Sequence, residues 1–310
     1  MNAQKTALKI AFLTVIWLAL PLAGMPALGQ QAPLIDLGAE AKKHQTVTPE
    51  SHDQKPTHSE KKAAEQPSKP VHWGYSGKEA PRYWADLSPK FGLCKTGKNQ
   101  SPINLMDEIA VGTTSLPGFD VHYRDNVLKI LNNGHTVQVN YPLGSYIKIN
   151  NHRYELMQFH FHTPSEHQYN GFNYPMELHL VHRDGYGNLA VIGILFQEGK
   201  ANPTLQKILD HLPKKPGKEE IVSSVTINPN KFFPAKKQFF KYSGSLTTPP
   251  CTEGVYWMVF KQPIEASALQ LQQMNEAMGE NARPIQKLFS RSLLKSWTDI
   301  RQDHQFYEFY

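Results

Sequence analysis

The chain has 310 residues, with 33 Lys and Arg against 27 Asp and Glu, a formal charge of +6 and an apolar fraction of 40%. That length accommodates one or two domains. The basic residues are dispersed and form no Lys/Arg block, which argues against nucleic-acid binding.

In chain order, Met1 to Lys9 carries Lys5 and Lys9 and no acid, Ile10 to Leu20 is apolar apart from Thr14, and Ala27-Leu28-Gly29 fits a small-x-small cleavage site. This pattern predicts a secretory signal peptide over residues 1–29 and an exported chain, periplasmic or extracellular. The apolar stretch is short for a transmembrane span, so none is expected in the mature chain. Without the two leader lysines the charge falls to about +4. Residues 30–70 contain six Lys and six acids and very few large apolar side chains. Such a segment cannot offset its ordering entropy by burial, and it is predicted to be a disordered polar linker. His44, His52 and His58 lie in it and read as solvated polar residues. Residues 71–310 hold every Trp but Trp17 and nearly all the Tyr and Phe, and they are long enough for one large core.

Two cysteines, Cys94 and Cys251, fall in this region. In an exported chain an even count points to one disulfide; two free thiols or an intermolecular bond are the alternatives. Cys251 follows Thr247-Thr248-Pro249-Pro250, so a bridge would pin that loop. Strand signals dominate. Val127–Leu131 and Thr136–Asn140 flank the turn Asn132-Asn133-Gly134, and Ser145–Ile149 and Tyr154–Leu156 flank Asn150-Asn151. Leu189–Phe196 is a nearly continuous apolar run, as expected of a strand buried on both faces, and Val255–Phe260 is another strand. Pro203–His211 and Ser267–Ala277 read as short helices. The sum is a β-dominated domain around a large sheet with a few peripheral helices.

The segment Gln158-Phe159-His160-Phe161-His162, followed by Glu177-Leu178-His179, concentrates the chemistry. In an extended strand residues two apart share a face, so His160 and His162 project together and Phe159 and Phe161 project oppositely, while His179 shares a face with Glu177. A single His alternating with Phe is more often a satisfied imidazole on a half-buried strand. A pair at strand spacing, with a third His beside a carboxylate, points instead to a metal. Three imidazoles leave an open position that a four-ligand structural site lacks. The spacing does not by itself choose zinc among imidazole-binding metals.

The folded region resembles the α-class carbonic anhydrases in their bacterial secreted form. The resemblance is carried by His72-Trp73-Gly74-Tyr75, Asn99-Gln100-Ser101-Pro102-Ile103-Asn104, Asn132-Asn133-Gly134-His135, the histidine run and Ser165-Glu166-His167. It continues through Tyr174-Pro175-Met176-Glu177-Leu178-His179-Leu180-Val181, Ser245-Leu246-Thr247-Thr248-Pro249-Pro250 and Asn281-Ala282-Arg283-Pro284. Tyr169 departs from it, standing where an aliphatic residue is usual, and is expected to be a packing variation. The resemblance implies a mainly β fold with a twisted, mostly antiparallel sheet of about ten strands and a conical cavity.

It also implies a function: hydration of carbon dioxide to bicarbonate and a proton through zinc-bound hydroxide, with weak side activity on esters. One Zn²⁺ per chain would be held by His160, His162 and His179, oriented by Gln158, the Asn281 carbonyl and Glu177 respectively. The Thr247 hydroxyl would donate to Glu166 and so fix the nucleophile. Thr248, Val181, Val191, Leu246, Val255 and Trp257 would form the substrate position, His135 would carry the proton, and Tyr75, Asn133 and Gln138 would hold the connecting waters. The family more often has Asn where Gln138 stands. A non-catalytic binding module on the same fold is the competing reading; such relatives typically lose a zinc His, and here all three are present. Bacterial relatives often dimerise, so a homodimer is compatible with the resemblance.

Overall fold

The computed structural model describes residues 71–113 and 115–298. The predicted signal peptide and linker lie outside the described residues. Eight strands carry the argument: β1 (Asn126–Asn132), β2 (Val137–Asn140), β3 (His152–His162), β4 (Met176–Arg183), β5 (Leu189–Glu198), β6 (Glu220–Ile227), β7 (Phe239–Ser245) and β8 (Glu253–Phe260). They run in the order β6-β1-β2-β3-β4-β5-β8-β7 through a large sheet. Leu294–Lys295 and Val111–Gly112 extend it beyond β7, which makes ten strands along this path. Most pairings are antiparallel; β5 with β8 is parallel. Three further strands, Phe119–His122, Tyr146–Ile149 and Ile264–Ala266, pair off this path and bring the sheet to 13 strands, so the expected mostly antiparallel sheet is found, three strands larger than the ten anticipated. Short strands and helices surround it, among them the helices Pro203–Leu209 and Ala268–Met278.

Local sequence explains the boundaries. Asn150 and Asn151 both adopt positive φ, 50° and 62°, the left-handed pair that a tight hairpin turn requires and that Asn tolerates. Asn202 caps the Pro203 helix by accepting from the Thr204 and Leu205 amides, with Pro at the first helical position. Ser267 and Gln270 form a reciprocal capping box on the Ala268 helix. Among the described residues no helix is long and apolar enough to cross a membrane.

Alternation sorts the strands into two faces. Phe159, Phe161, Leu178, Leu180, Ile192 and Ile194 belong to one buried apolar cluster, and Val181, Val191, Leu195, Val255, Trp257 and Val259 to another. β5 feeds both, which is why it reads as an unbroken apolar run. Each fully buried Phe or Leu contributes roughly 1.5–3 kcal/mol of transfer free energy, so a strand slip of one residue would exchange core for cavity along its whole length. One irregularity matters. β4 pairs Val181 with Gln158 and then His182 with Leu156, skipping Met157. This β-bulge reverses the parity of β3. Leu156 therefore packs in the core with Phe159, although it shares even numbering with Gln158, His160 and His162.

His182 lies on the core side of β4, fully buried, with Nε2 at 2.6 Å from the Tyr123 hydroxyl. Burial pushes its pKa down from 6.5 to about 3. It is a neutral core imidazole, unrelated to the three on the opposite face. Tyr169 packs against the Phe240 ring at 5.9 Å, and its hydroxyl also donates to the Asp107 carboxylate, which Lys261 approaches at 3.2 Å. The side chain at this unusual position thus does more than fill space.

Candidate metal centre

Register places the site. β3 and β4 set His160 opposite His179 and His162 opposite Glu177, and β2 sets Gln138 opposite His160. One nitrogen from each of His160, His162 and His179 lies within 4.8 Å of those of the other two. The remaining nitrogen of each ring is engaged: His160 Nδ1 with Gln158 Oε1 at 2.9 Å, His162 Nδ1 with the Asn281 carbonyl at 2.8 Å, and His179 Nε2 with Glu177 Oε1 at 2.9 Å. These partners accept, so the engaged nitrogens carry the protons and the others present lone pairs. The free set is therefore His160 Nε2, His162 Nε2 and His179 Nδ1.

Electrostatics favours the same protonation state. Burial lowers the pKa of His160 well below 6.5, helped by its two neighbouring imidazoles. Burial also lowers His162, against an opposing pull from Glu166. Glu177 is buried, which raises its pKa, but His167 and His179 outweigh this and hold it well below the usual carboxylate range. Its Oε2 accepts from the Glu166 and His167 amides at 2.9 and 2.8 Å. Gly193 lies opposite His179 in β5; a Cβ there would come within 2.9 Å of Glu177 Oε1, so this carboxylate packs where only glycine leaves room.

His162 Nε2 and Glu166 Oε2 are the buried side-chain polar atoms left without a hydrogen-bond partner among the described residues. They lie 3.5 Å apart, and Glu166 Oε2 is 3.9 Å from His179 Nδ1. A buried acceptor without a donor is costly. Three imidazole lone pairs converging on one point, one of them orphaned, fit a cation of zinc's ligand preference. The hydrogen bond expected from Thr247 to Glu166 is not made. Glu166 Oε1 instead accepts from the Arg283 amide at 2.9 Å, and Oε2 turns toward the imidazoles.

Of the other expected residues, Trp257 lies against His179 and Gln138 stands opposite His160. Val181, Val191, Leu246, Val255 and Trp257 are all buried in one cluster. Val181 pairs with Val191, and Val191 with Trp257, in a continuous row across three strands. The Trp257 ring lies 4.8 Å from His179, and its Nε1 donates to the Ser245 carbonyl at 3.0 Å. Thr247 is buried and Thr248 half-buried; the Thr248 carbonyl accepts from the Cys251 amide at 2.8 Å. Cys94 and Cys251 form a disulfide. Tyr75 packs edge-on against Trp73 and Trp84, and burial, with Glu166 nearby, raises its hydroxyl pKa well above 10. Asn133 Nδ2 reaches Gln138 Oε1 at 3.4 Å. The His135 ring stacks on Trp73 at 3.9 Å with planes 6° apart; burial and the adjacent His72 lower its pKa below 6.5.

Two residues escaped the sequence reading. Arg283 donates from its backbone to Glu166 and from its guanidinium to Gln100 Oε1, the Ser101 carbonyl and the Cys94 carbonyl. His167 bridges Glu177 Oε1 and the Tyr242 hydroxyl, each at 2.7 Å. Both stand inside motifs quoted above, which was the available signal, but their partners lie far away along the chain.

This geometry defines a metalloenzyme-type centre: three imidazoles on two adjacent strands of one sheet, one nitrogen of each turned toward a common point, with the buried apolar cluster that contains Trp257 beside His179. Comparison with known proteins narrows the class. A family model described as eukaryotic-type carbonic anhydrase matches residues 79–297. The chain is 47% identical over 231 residues to a carbonic anhydrase of Nostoc sp., covering 74% of this chain and 88% of that protein. It is 40% identical over 227 residues to a carbonic anhydrase of Neisseria gonorrhoeae, covering 73% and 88%. An α-carbonic anhydrase from Thermovibrio ammonificans, solved in complex with the inhibitor sulfanilamide, superposes with a TM-score of 0.70 and 44% identity over 73% of this chain and all of that one. The chain belongs to the α-class carbonic anhydrases, zinc enzymes that hydrate carbon dioxide reversibly to bicarbonate.

Proposed function

We propose that this chain hydrates carbon dioxide with the following division of labour. His160 Nε2, His162 Nε2 and His179 Nδ1 would hold the zinc, each oriented from behind by Gln158, the Asn281 carbonyl and Glu177. Zinc, when bound, supplies the Lewis acidity that makes a water acidic near neutral pH, for which carbonic anhydrase is itself the standard example. The observation that carries the reading is the convergence of three imidazole lone pairs within 4.8 Å, each with its other nitrogen already committed.

The chain's own residues do the rest. With Oε1 of Glu166 occupied by Arg283, Oε2 is the acceptor the Thr247 hydroxyl would take, a bond this structure does not make and one that requires Oε2 to turn from the imidazoles. A threonine donating there can only accept from the nucleophilic water and so aims its lone pair. Carbon dioxide has no net dipole and suits the wall of Val181, Val191, Leu246, Val255 and Trp257, with Thr248 at its polar edge. His135 would take the released proton outward, along waters held by Tyr75, Asn133 and Gln138.

His135→Ala is expected to slow turnover in weak buffer, with added imidazole restoring it. Stopped-flow hydration measured in both conditions checks this; equal rates for variant and parent in weak buffer would remove the role. The leader pattern supports export to the periplasm or beyond, with residues 1–29 removed, 30–70 as a spacer and 71–310 as the catalytic domain. N-terminal sequencing of the exported protein should begin near Gln30, and recovery of Met1 would contradict it. A homodimer is the assembly the resemblance suggests, and sedimentation velocity reads it directly.

A further inference from the structure

We propose that Glu219 is a positioning residue for His135, acting through a one-way chain of three side-chain amides. The proposal rests on the reading of His135 as proton carrier. Asn140 Nδ2 donates to Glu219 Oε2 at 2.6 Å, Gln138 Nε2 donates to Asn140 Oδ1 at 2.6 Å, and Asn133 Nδ2 donates to Gln138 Oε1 at 3.4 Å. Asn133 Oδ1 then accepts from the backbone amides of His135 and Thr136 at 3.0 and 2.9 Å.

Both ends of the chain fix its direction. An ionised carboxylate only accepts, and a backbone N–H only donates. Asn140 must therefore turn its NH₂ toward Glu219 and its oxygen toward Gln138. Gln138 and Asn133 follow in the same sense, which leaves the Asn133 oxygen for the two amides of the turn. No amide can flip without breaking at least two bonds, and Asn133 would break three. Gln138 has the length to reach both neighbours while standing opposite His160, so the chain skirts the metal centre.

Other contacts identify the turn as its object. The His135 carbonyl accepts from Asn281 Nδ2 at 2.9 Å, the residue whose own carbonyl orients His162. The ring is stacked on Trp73. The loop leading to Glu219 is docked on the same turn by Gly217 N–H to the Asn132 carbonyl at 2.9 Å. His135 is thus held at N–H, carbonyl and ring, and Glu219 anchors the first of these through the three intervening amides.

Glu219→Leu removes the terminal acceptor, whereas Glu219→Gln keeps a carbonyl oxygen at the same reach. The full chain loaded with zinc is assayed in weak buffer, and amide hydrogen exchange at His135 and Thr136 is followed by NMR. Glu219→Leu should lower kcat roughly three- to tenfold, the scale of one or two hydrogen bonds. Its kcat/KM should be unchanged, because proton export follows the interconversion step. Imidazole should restore kcat, exchange at both amides should quicken, and Glu219→Gln should match the parent in both readouts. Parent-like exchange in Glu219→Leu overturns the proposal. So does parent-like kcat in weak buffer when His135→Ala, run alongside, is slow. If His135→Ala also keeps its kcat, the carrier reading itself has failed and the proposal falls with it.

Discussion

His162→Ala is expected to lose zinc and carbon dioxide hydration together. His162 is 1% exposed, its Nδ1 is committed to the Asn281 carbonyl, and its Nε2 has no hydrogen-bond partner among the described residues. Removing it leaves two imidazoles and an unpaired buried carbonyl. Removing a group merely behind a metal ligand costs roughly 10–100-fold in affinity or activity; deleting a ligand should cost far more and take hydration to the uncatalysed background. Zinc content by elemental analysis after dialysis and stopped-flow hydration on the same sample check this. Near-ultraviolet circular dichroism shows whether the core persists. A variant with one zinc per chain and parental turnover would overturn the ligand assignment.

The second large effect concerns stability. The Cys94–Cys251 bond closes a loop with a sequence separation of 157. In the chain-entropy account a loop of that length stabilises the fold by roughly 5 kcal/mol. The double variant C94S/C251S should therefore melt roughly 10–20 °C lower, given the entropy of unfolding of a domain of this size. The loss should also reach the site. Gln100 Nε2 donates to the Cys251 carbonyl at 3.0 Å, and the Arg283 guanidinium, while donating to Gln100, donates to the Cys94 carbonyl at 3.0 Å. The Arg283 amide in turn fixes Glu166. The loop Thr247–Thr252 is closed by Leu246 N–H to the Thr252 carbonyl at 2.9 Å, directly beside the bond. Scanning calorimetry with stopped-flow at a temperature where both forms are folded checks this. A melting temperature within about 2 °C of the parent would contradict the entropic account.

Much of this arrangement is legible in the chain itself. The period-two pattern of Gln158 to His162 places two imidazoles on one face because strand geometry allows nothing else, and the unbroken apolar run of β5 marks a strand with core on both sides. What is not legible depends on register between distant segments. The bulge at Met157 changes which face Leu156 occupies without any glycine or proline to announce it. β6 is an edge strand whose pairing shifts between Val222 and Thr226, so its sequence shows no clean alternation. Arg283, His167 and Glu219 act through partners that only folding brings near. The Thr247–Glu166 contact is the instructive difference. Motif register assigns the pair, but the Glu166 carboxylate is turned by Arg283 and two imidazoles, groups that no local pattern specifies.

The most direct test of the account is hydration of carbon dioxide by the purified chain before and after chelation, followed by return of zinc. The three-imidazole centre predicts rapid hydration in the loaded protein, its loss on chelation, and recovery that saturates at one zinc per chain. Hydration that persists in protein shown to be free of zinc, or recovery that needs more than one zinc per chain, would contradict it.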